Sequence, residues 1–535
     1  MYYPSVDGRP GILTILPLSL VVIIALRRFT NNRQNKPCPP GPVPLPLLGN
    51  ILSINTNEPW LSYTEWGAAY GDLVFVRLLG QEVISINSQH VAEALLDKRS
   101  DIYSDRPYLP TAEQFGWSAI TFAFTGYGDE WRLSRRLFHQ AFRSSSALKL
   151  RPMQIRRARE MIVNLIDHPQ HYHNHFATFS SSVGMSVIYD YQPSARDDPL
   201  VRMLEDTVAV GLEMTTPKNA TLLQLFPFLL KLPDWCWGSS IKRAAQKSTN
   251  RMNEMRDLPF QPTQQHMAGN SFLGQSSMVT ENLQRMERQD EASKPMFEIA
   301  LKRTVAAGVM QSYETTSSTL MVFVLAMVLH PDFQRRAQAE IDSVIGRDRL
   351  PTFEDRASLP YVESIVRETF RWHPILPLGV PHATSSDDTY DGHFIRKGTT
   401  VMCNIWSDRY FSGSKILMSH CRAISRDEKR YPNASHFMPE RFLDVNGALT
   451  DDDPAGYVFG LGRRACPGRY AGDASVWSGI VTMLATMDFS FAKDDQGKVI
   501  DFIPEFNPGL VRSLMHFPCN ISPRSHVHSG LEDLL

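Results

Sequence analysis

At 535 residues, 43% hydrophobic and 10% aromatic, the chain can bury a large core, and length alone allows two or three domains. A formal net charge of −1 provides no global positive field for a polyanion, which excludes nucleic acid as the main partner and leaves only local basic patches. Six cysteines, Cys38, Cys236, Cys403, Cys421, Cys466 and Cys519, are too sparse and irregular for a disulfide framework or a zinc site and fit a reducing compartment.

Gly11 to Leu26 is apolar apart from Thr14 and Ser19, is interrupted by Pro17, and runs into Arg27 and Arg28. At about 1.5 Å per residue it spans roughly 24 Å, short of a hydrocarbon core of about 30 Å; Tyr2, Tyr3 and local bilayer thinning make up the difference. Arg27, Arg28, Arg33 and Lys36 follow the run while only Arg9 precedes it, the wrong side for a cleaved signal peptide. Residues 1–36 are therefore expected to be a membrane signal-anchor, with a cleaved signal or a buried core helix as the alternatives. The bulk of the protein then faces the cytosol, where the sequons at Asn219, Asn433 and Asn520 go unused. Residues 37–50, beginning Pro37-Cys38-Pro39-Pro40, cannot be helical, because proline removes donors and restricts its predecessor; they read as a stiff hinge.

Asp72 to Asn87 carries strand-like Val, Phe and Ile runs either side of Leu79-Gly80-Gln81, which predicts a hairpin. Ser100 to Thr125 is loop-rich and holds Phe115, Trp117, Phe122 and Phe124. Trp131 and Arg135 form W-x-x-x-R, a pair on one helical face, flanked by Arg132, Arg136 and Arg143. Helical patterning continues from about Met153 to Arg256; within it Thr221 to Leu232 is unusually apolar, as core packing or a dip into a membrane would require. Met296 to Leu329 is long, apolar and largely free of breakers, which predicts a buried helix containing Gln311, Ser312 and Glu314-Thr315-Thr316.

Glu368 and Arg371 form E-x-x-R within the helical stretch Pro360 to Trp372, ahead of Leu376 to Val380, His382 and the strand-like Thr399 to Trp406. Ser407 to Arg422 shows no periodicity or motif; its length is that of a small retained fungal intron, with a genuine surface loop as the alternative. Pro439-Glu440-Arg441-Phe442 then precedes Phe459-Gly460-Leu461-Gly462-Arg463-Arg464-Ala465-Cys466-Pro467-Gly468. The five fixed positions of F-x-x-G-x-R-x-C-x-G should occur by chance in on the order of one in ten thousand chains of this length. Tyr470 to Met487 reads as a helix, Phe506 to Val511 as a turn around Pro508-Gly509, and 526–535 as a tail.

These four motifs, in this order, resemble the cytochrome P450 family, and in overall texture its fungal microsomal members acting on secondary metabolites or foreign aromatics. The resemblance implies one mainly α catalytic unit with small β-sheets (α+β) over 51–525, plus the N-terminal transmembrane helix. Haem b would lie between the distal long helix and the proximal cysteine loop. Cys466 would be the axial ligand of the haem iron, an electron-rich thiolate that favours O–O cleavage. Phe459 and Gly468 would shape the loop, and Trp131, Arg135, His382 and Arg464 would meet the haem propionates. Glu314 and Thr315 match the family's acid–alcohol pair, which manages protons during oxygen activation.

By the same resemblance Glu368, Arg371 and Arg441 form a buried ion network, and removing one member strands a charge at roughly 3 to 5 kcal/mol. The implied reaction is monooxygenation of a small apolar substrate at the endoplasmic reticulum membrane. NADPH-cytochrome P450 reductase would deliver the electrons, with cytochrome b5 as a second donor, on a basic face of Arg132, Arg136, Arg143, Arg463 and Arg469. Where the family has Ala-Gly or Gly-Gly, this chain has Gln311 and Ser312, which crowd the oxygen groove or add relay groups. That departure keeps open a haem-thiolate isomerase or dehydratase, and the 407–422 segment keeps open a haem-binding relic.

Overall fold

Leu79 and Gly80 both take positive φ, 49° and 84°, so the hairpin of β1 (Leu73–Leu78) and β2 (Gln81–Ile86) turns with the twist of its strands. The loop is one residue tighter than expected, since Gln81 already pairs with Leu78. The computed structural model describes residues 37–525 except 195–197, 215–218, 221, 224–225, 261–276, 407–422 and 508. The expected anchor over 1–36, the segment 407–422 and the tail over 526–535 lie outside the described residues.

The hairpin belongs to a four-stranded sheet of order β1-β2-β4-β3, in which β4 (Thr400–Cys403) runs parallel to β2 and antiparallel to β3 (His382–Ala383). The proline-rich hinge is stitched to this sheet, and to the strand His393–Ile395 of a separate two-stranded sheet, instead of standing clear of them. Phe75 N–H donates to Pro40 O at 2.9 Å, Phe394 N–H to Pro37 O at 2.7 Å and Arg77 N–H to Asn50 Oδ1 at 3.0 Å. A Cβ on Gly41 would stand 1.9 Å from Phe75 O, so glycine is what lets the two backbones meet.

Helices carry the rest: α1 (Asp129–Phe142), α2 (Ser144–Asp167), α3 (Tyr172–Tyr189), α4 (Lys294–Leu329), α5 (Pro360–Trp372) and α6 (Arg469–Thr486), with Pro199–Met214 and Ser240–Asp257 between α3 and α4. Pro295 sits in the first turn of α4, where a missing N–H costs nothing, and Pro331 follows its end at His330. From Leu320 to Val328 every α4 side chain is buried, in one cluster with residues of α2, α3, α5 and α6. Apolar residues on all sides are what a helix enclosed by four others requires. Among the described residues α4 is the helix long and apolar enough to cross a membrane, and it is mostly buried inside the fold. Its first half lies in a second core cluster, with α1, α3, Pro199–Met214, Ser240–Asp257 and Met278–Glu287. This mainly α architecture with small sheets is the one expected.

Candidate active site

Where the two core clusters part, α4, α1, the 106–124 segment, the 373–382 segment and the Phe459–Gly468 loop enclose a cavity of about 640 Å³. Trp117, Phe122 and Phe124 line it as expected, together with Leu376, Val380, Leu510 and Val511. Phe115 instead is fully buried core, its carbonyl accepting from Ser248 Oγ at 2.8 Å.

The cysteine loop closes on itself through Cys466 N–H donating to Phe459 O at 2.7 Å. Gly462 has φ 58°, and a Cβ there would lie 2.0 Å from Leu96 O, so both its conformation and its space demand glycine. Phe459 packs edge-on against Phe370 of α5, with ring centroids 5.4 Å apart. Cys466 and Gly468 both border the cavity. Seclusion from water pushes the Cys466 thiol pKa up, opposed by the Gly468 N–H and then by the Arg135 and Arg469 guanidiniums. The charge of a bound metal is what converts such a thiol to a thiolate.

Along one edge of the cavity cations converge. Trp131 and Arg135 lie one turn apart on α1, and the Arg464 guanidinium sits 4.3 Å from the Trp131 ring. Arg464 donates to Ser104 O and Thr125 O, both at 2.8 Å, yet its Nη1 is buried without a partner. Arg135 makes no hydrogen bond or ion pair among the described residues, and burial pushes its pKa down. His382 Nδ1 donates to Tyr103 O at 2.8 Å, leaving Nε2 for the cavity, while burial and then Arg106 push the imidazole well below its usual pKa. An imidazolium facing a carboxylate therefore needs that carboxylate to supply the compensating charge.

Arg106 joins this edge with no signal in the sequence: it lies in a loop, and only its contacts give it away. It donates to Ala123 O (2.8 Å), Val380 O (2.9 Å) and Pro381 O (2.5 Å), and burial, then Arg464, hold its pKa well below the ordinary arginine value. A cationic rim with an orphaned, buried donor calls for an anion. One cysteine, a close-approaching glycine loop and that rim suit a flat group with carboxylates on one edge. The residues fit the haem implied by the resemblance.

On α4, Thr315 Oγ1 donates to Gln311 O at 2.8 Å. Burial pushes the Glu314 pKa up to about 8, with a Ser513 hydroxyl bond opposing, and its Oε1 is buried without a partner. Ser513, which carries no signal in the sequence, also accepts from Ser318 Oγ at 2.9 Å. Gln311 and Ser312 point in different directions, as neighbours on a helix must. Gln311 Nε2 donates to Thr121 Oγ1 at 3.2 Å on the cavity wall. Ser312 Oγ donates to Val309 O at 2.8 Å, and its carbonyl accepts from Ser180 Oγ of α3. A Cβ on Gly184 of α3 would stand 2.1 Å from Ser312 Oγ, so the small residue missing from α4 is found on its neighbour.

The expected ion network is assembled behind the cysteine loop. Glu368 accepts from Arg371 Nε (2.6 Å) and Nη2 (2.7 Å), from Arg441 Nε (3.2 Å) and from Met438 N–H (2.7 Å). Arg371 Nη1 donates to Ser425 O and Ala434 O at 2.8 Å each. On the outer surface, Arg132 and Arg463 sit 4.9 Å and 5.5 Å from the same Tyr127 ring, which joins α1 and the cysteine loop in one basic face.

Comparison with known proteins agrees with this geometry. The family model described as Cytochrome P450 matches residues 39–511. The chain is 32% identical to cytochrome P450 monooxygenase 176 of Postia placenta over 96% of this chain and 95% of that protein. It is 33% identical to cytochrome P450 monooxygenase COX1 of Coprinopsis cinerea, covering 97% and 98% of the two chains. With cytochrome P450 monooxygenase claR of Ampulloclitocybe clavipes it shares 33% identity over 97% and 92%.

Proposed function

This chain belongs to the cytochrome P450 family of haem-thiolate monooxygenases, and on that premise we propose how its residues divide the work. Cys466 would be the iron ligand; Trp131, Arg135, His382, Arg464 and Arg106 would hold the propionates; Phe459 and Gly468 would shape the cysteine loop. Bound there, haem would supply reductive activation of O2, with the electron-rich thiolate of Cys466 as its protein ligand. Glu314, whose raised pKa keeps its carboxyl protonated in neutral solution, stores a proton. Thr315 relays that proton from the helix into the cavity, its hydroxyl being held ready on Gln311 O. The apolar walls exclude water and select a small apolar substrate, in secondary metabolism or the oxidation of foreign compounds.

The observation that carries this reading is one cavity with the cysteine loop on one wall, Glu314–Thr315 on another and a cationic rim at its edge. The test is a reduced carbon monoxide difference spectrum with a band at about 450 nm. It is paired with NADPH oxidation by reconstituted reductase, coupled to a product heavier by one oxygen. A rearranged product formed without NADPH would point to the isomerase or dehydratase, a reading that the intact Glu314–Thr315 pair and the monooxygenase relatives disfavour.

NADPH-cytochrome P450 reductase, and cytochrome b5 beside it, dock on the basic face of Arg132, Arg136, Arg143, Arg463 and Arg469. Residues 1–36 anchor the chain once in the endoplasmic reticulum membrane with the catalytic domain in the cytosol. Support comes from a run of exposed aromatics suited to a bilayer interface, Phe226 (44% exposed), Phe228 (56%), Trp235 (85%) and Trp237 (100%). Leu223, earlier in the same stretch, is instead core. Release of the protein by alkaline carbonate would refute the anchor. Support for reading 407–422 as an insertion comes from its flanks, where Ile424 N–H donates to Asn404 O (3.1 Å) and Ser425 N–H to Ile405 O (2.8 Å). Transcripts that uniformly retain it rule out the intron explanation.

A further inference from the structure

Gln311 stands one turn before Thr315, on the face of α4 that borders the cavity, where it places a carboxamide in a largely apolar wall. Its Nε2 donates to Thr121 Oγ1 at 3.2 Å, and Ala123 N–H donates to the same oxygen at 3.1 Å. Those two bonds occupy both lone pairs of the Thr121 hydroxyl, so its own proton is left over. Among the described residues neither that proton nor Gln311 Oε1 has a partner. Unpartnered polar atoms also occur elsewhere around the cavity, at Glu314 Oε1, Arg464 Nη1 and both His373 ring nitrogens, but Gln311 and Thr121 are joined to each other by a hydrogen bond and together leave one acceptor and one donor over.

We propose that Gln311 and Thr121 form a hydroxyl-recognition site, so that the substrate is a hydrocarbon skeleton already carrying an alcohol or phenol group. An acceptor and a donor side by side are the complement of a hydroxyl, which gives one hydrogen bond and takes one. The bond between the two side chains, which come from separate elements, holds the pair in place before substrate arrives. A bare hydrocarbon would strip both groups of water and return nothing, whereas an alcohol satisfies both. The inference deepens the monooxygenase reading and rests on it.

The experiment is a titration of the holoprotein, followed by the change in its haem absorption, with matched probes: naphthalene against naphthol and adamantane against adamantanol. Wild type should bind the alcohol of a pair about five- to tenfold tighter than the hydrocarbon. Gln311→Leu and Thr121→Val, both close in shape to the residues they replace, should each erase that preference while leaving hydrocarbon binding in place. Equal binding of both members by wild type overturns the proposal. So does a preference that survives both variants, including the case in which they only lower the melting temperature, as a purely structural strap would. Failure of the monooxygenase reading shows separately, as wild type lacking the band at about 450 nm.

Discussion

Two interior glutamates, one fully buried and one bordering the cavity, face opposite fates. Glu368, behind the cysteine loop, accepts from two arginines and a backbone N–H and is fully buried. Glu314, on the distal helix, has a serine hydroxyl as its hydrogen-bond partner and one oxygen with none. A carboxylate surrounded by arginines is a fixed charge that specifies how chain segments meet; one surrounded by apolar side chains is neutral near pH 7 and can give up a proton. The proximal side of this molecule is built to stay as it is, and the distal side to change protonation state.

Breaking the proximal member should have the largest effect. Arg371→Leu leaves Glu368 with a buried charge and should cost roughly 3 to 5 kcal/mol, read as a lower urea midpoint and loss of soluble holoprotein. An unchanged midpoint would mean that the network is solvated. Cys466→Ala tests the same side by spectroscopy: the fold should persist while the band at about 450 nm disappears.

On the distal side the sign of the stability effect reverses. Glu314 has a folded pKa of about 8, above its unfolded value, so its contribution is fully present below the unfolded pKa and is lost as pH rises through about 8. Glu314→Gln should therefore match wild type in unfolding free energy near pH 4 and exceed it increasingly towards pH 8, by about 1.4 kcal/mol for each pH unit climbed between the unfolded and folded pKa values. Turnover should fall by about a hundredfold. Parallel melting curves for the two proteins across this range would show that the carboxyl is solvated.

Smaller effects test the surroundings. Gly184→Ala should cost about 1 to 3 kcal/mol through its clash with Ser312 Oγ, and adding Ser312→Gly should restore most of it in a double-mutant cycle. Arg463→Glu should raise the reductase KM by a few fold, with a weaker salt dependence than wild type and an unchanged spectrum.

Much of the proximal half is legible in the sequence because its cues are local. E-x-x-R puts two residues on one helical face, and F-x-x-G-x-R-x-C-x-G puts glycines where a loop must turn tightly against its neighbours; both arrangements follow from spacing within one element. The proline run reads correctly as non-helical but not as part of the sheet, since proline content reports conformation and says nothing of what a segment touches. Phe115 groups by sequence with its aromatic neighbours although it faces the core, because an irregular segment has no period from which to infer direction.

The amino-acid sequence by itself determined the family, the cysteine loop, the ion network and the central helix, each written in short-range spacing or in a long apolar run. Tertiary structure alone decided that Arg106 joins the cationic rim, that Ser513 meets Glu314, that Gln311 turns to Thr121 and that Gly184 makes room for Ser312. These pairs join segments far apart in the chain. A helical period fixes which face Gln311, Ser312, Glu314 or Gly184 occupies but not what that face meets, so only folding, by burying one side chain against another, sets which polar group finds a partner and which is left facing the cavity.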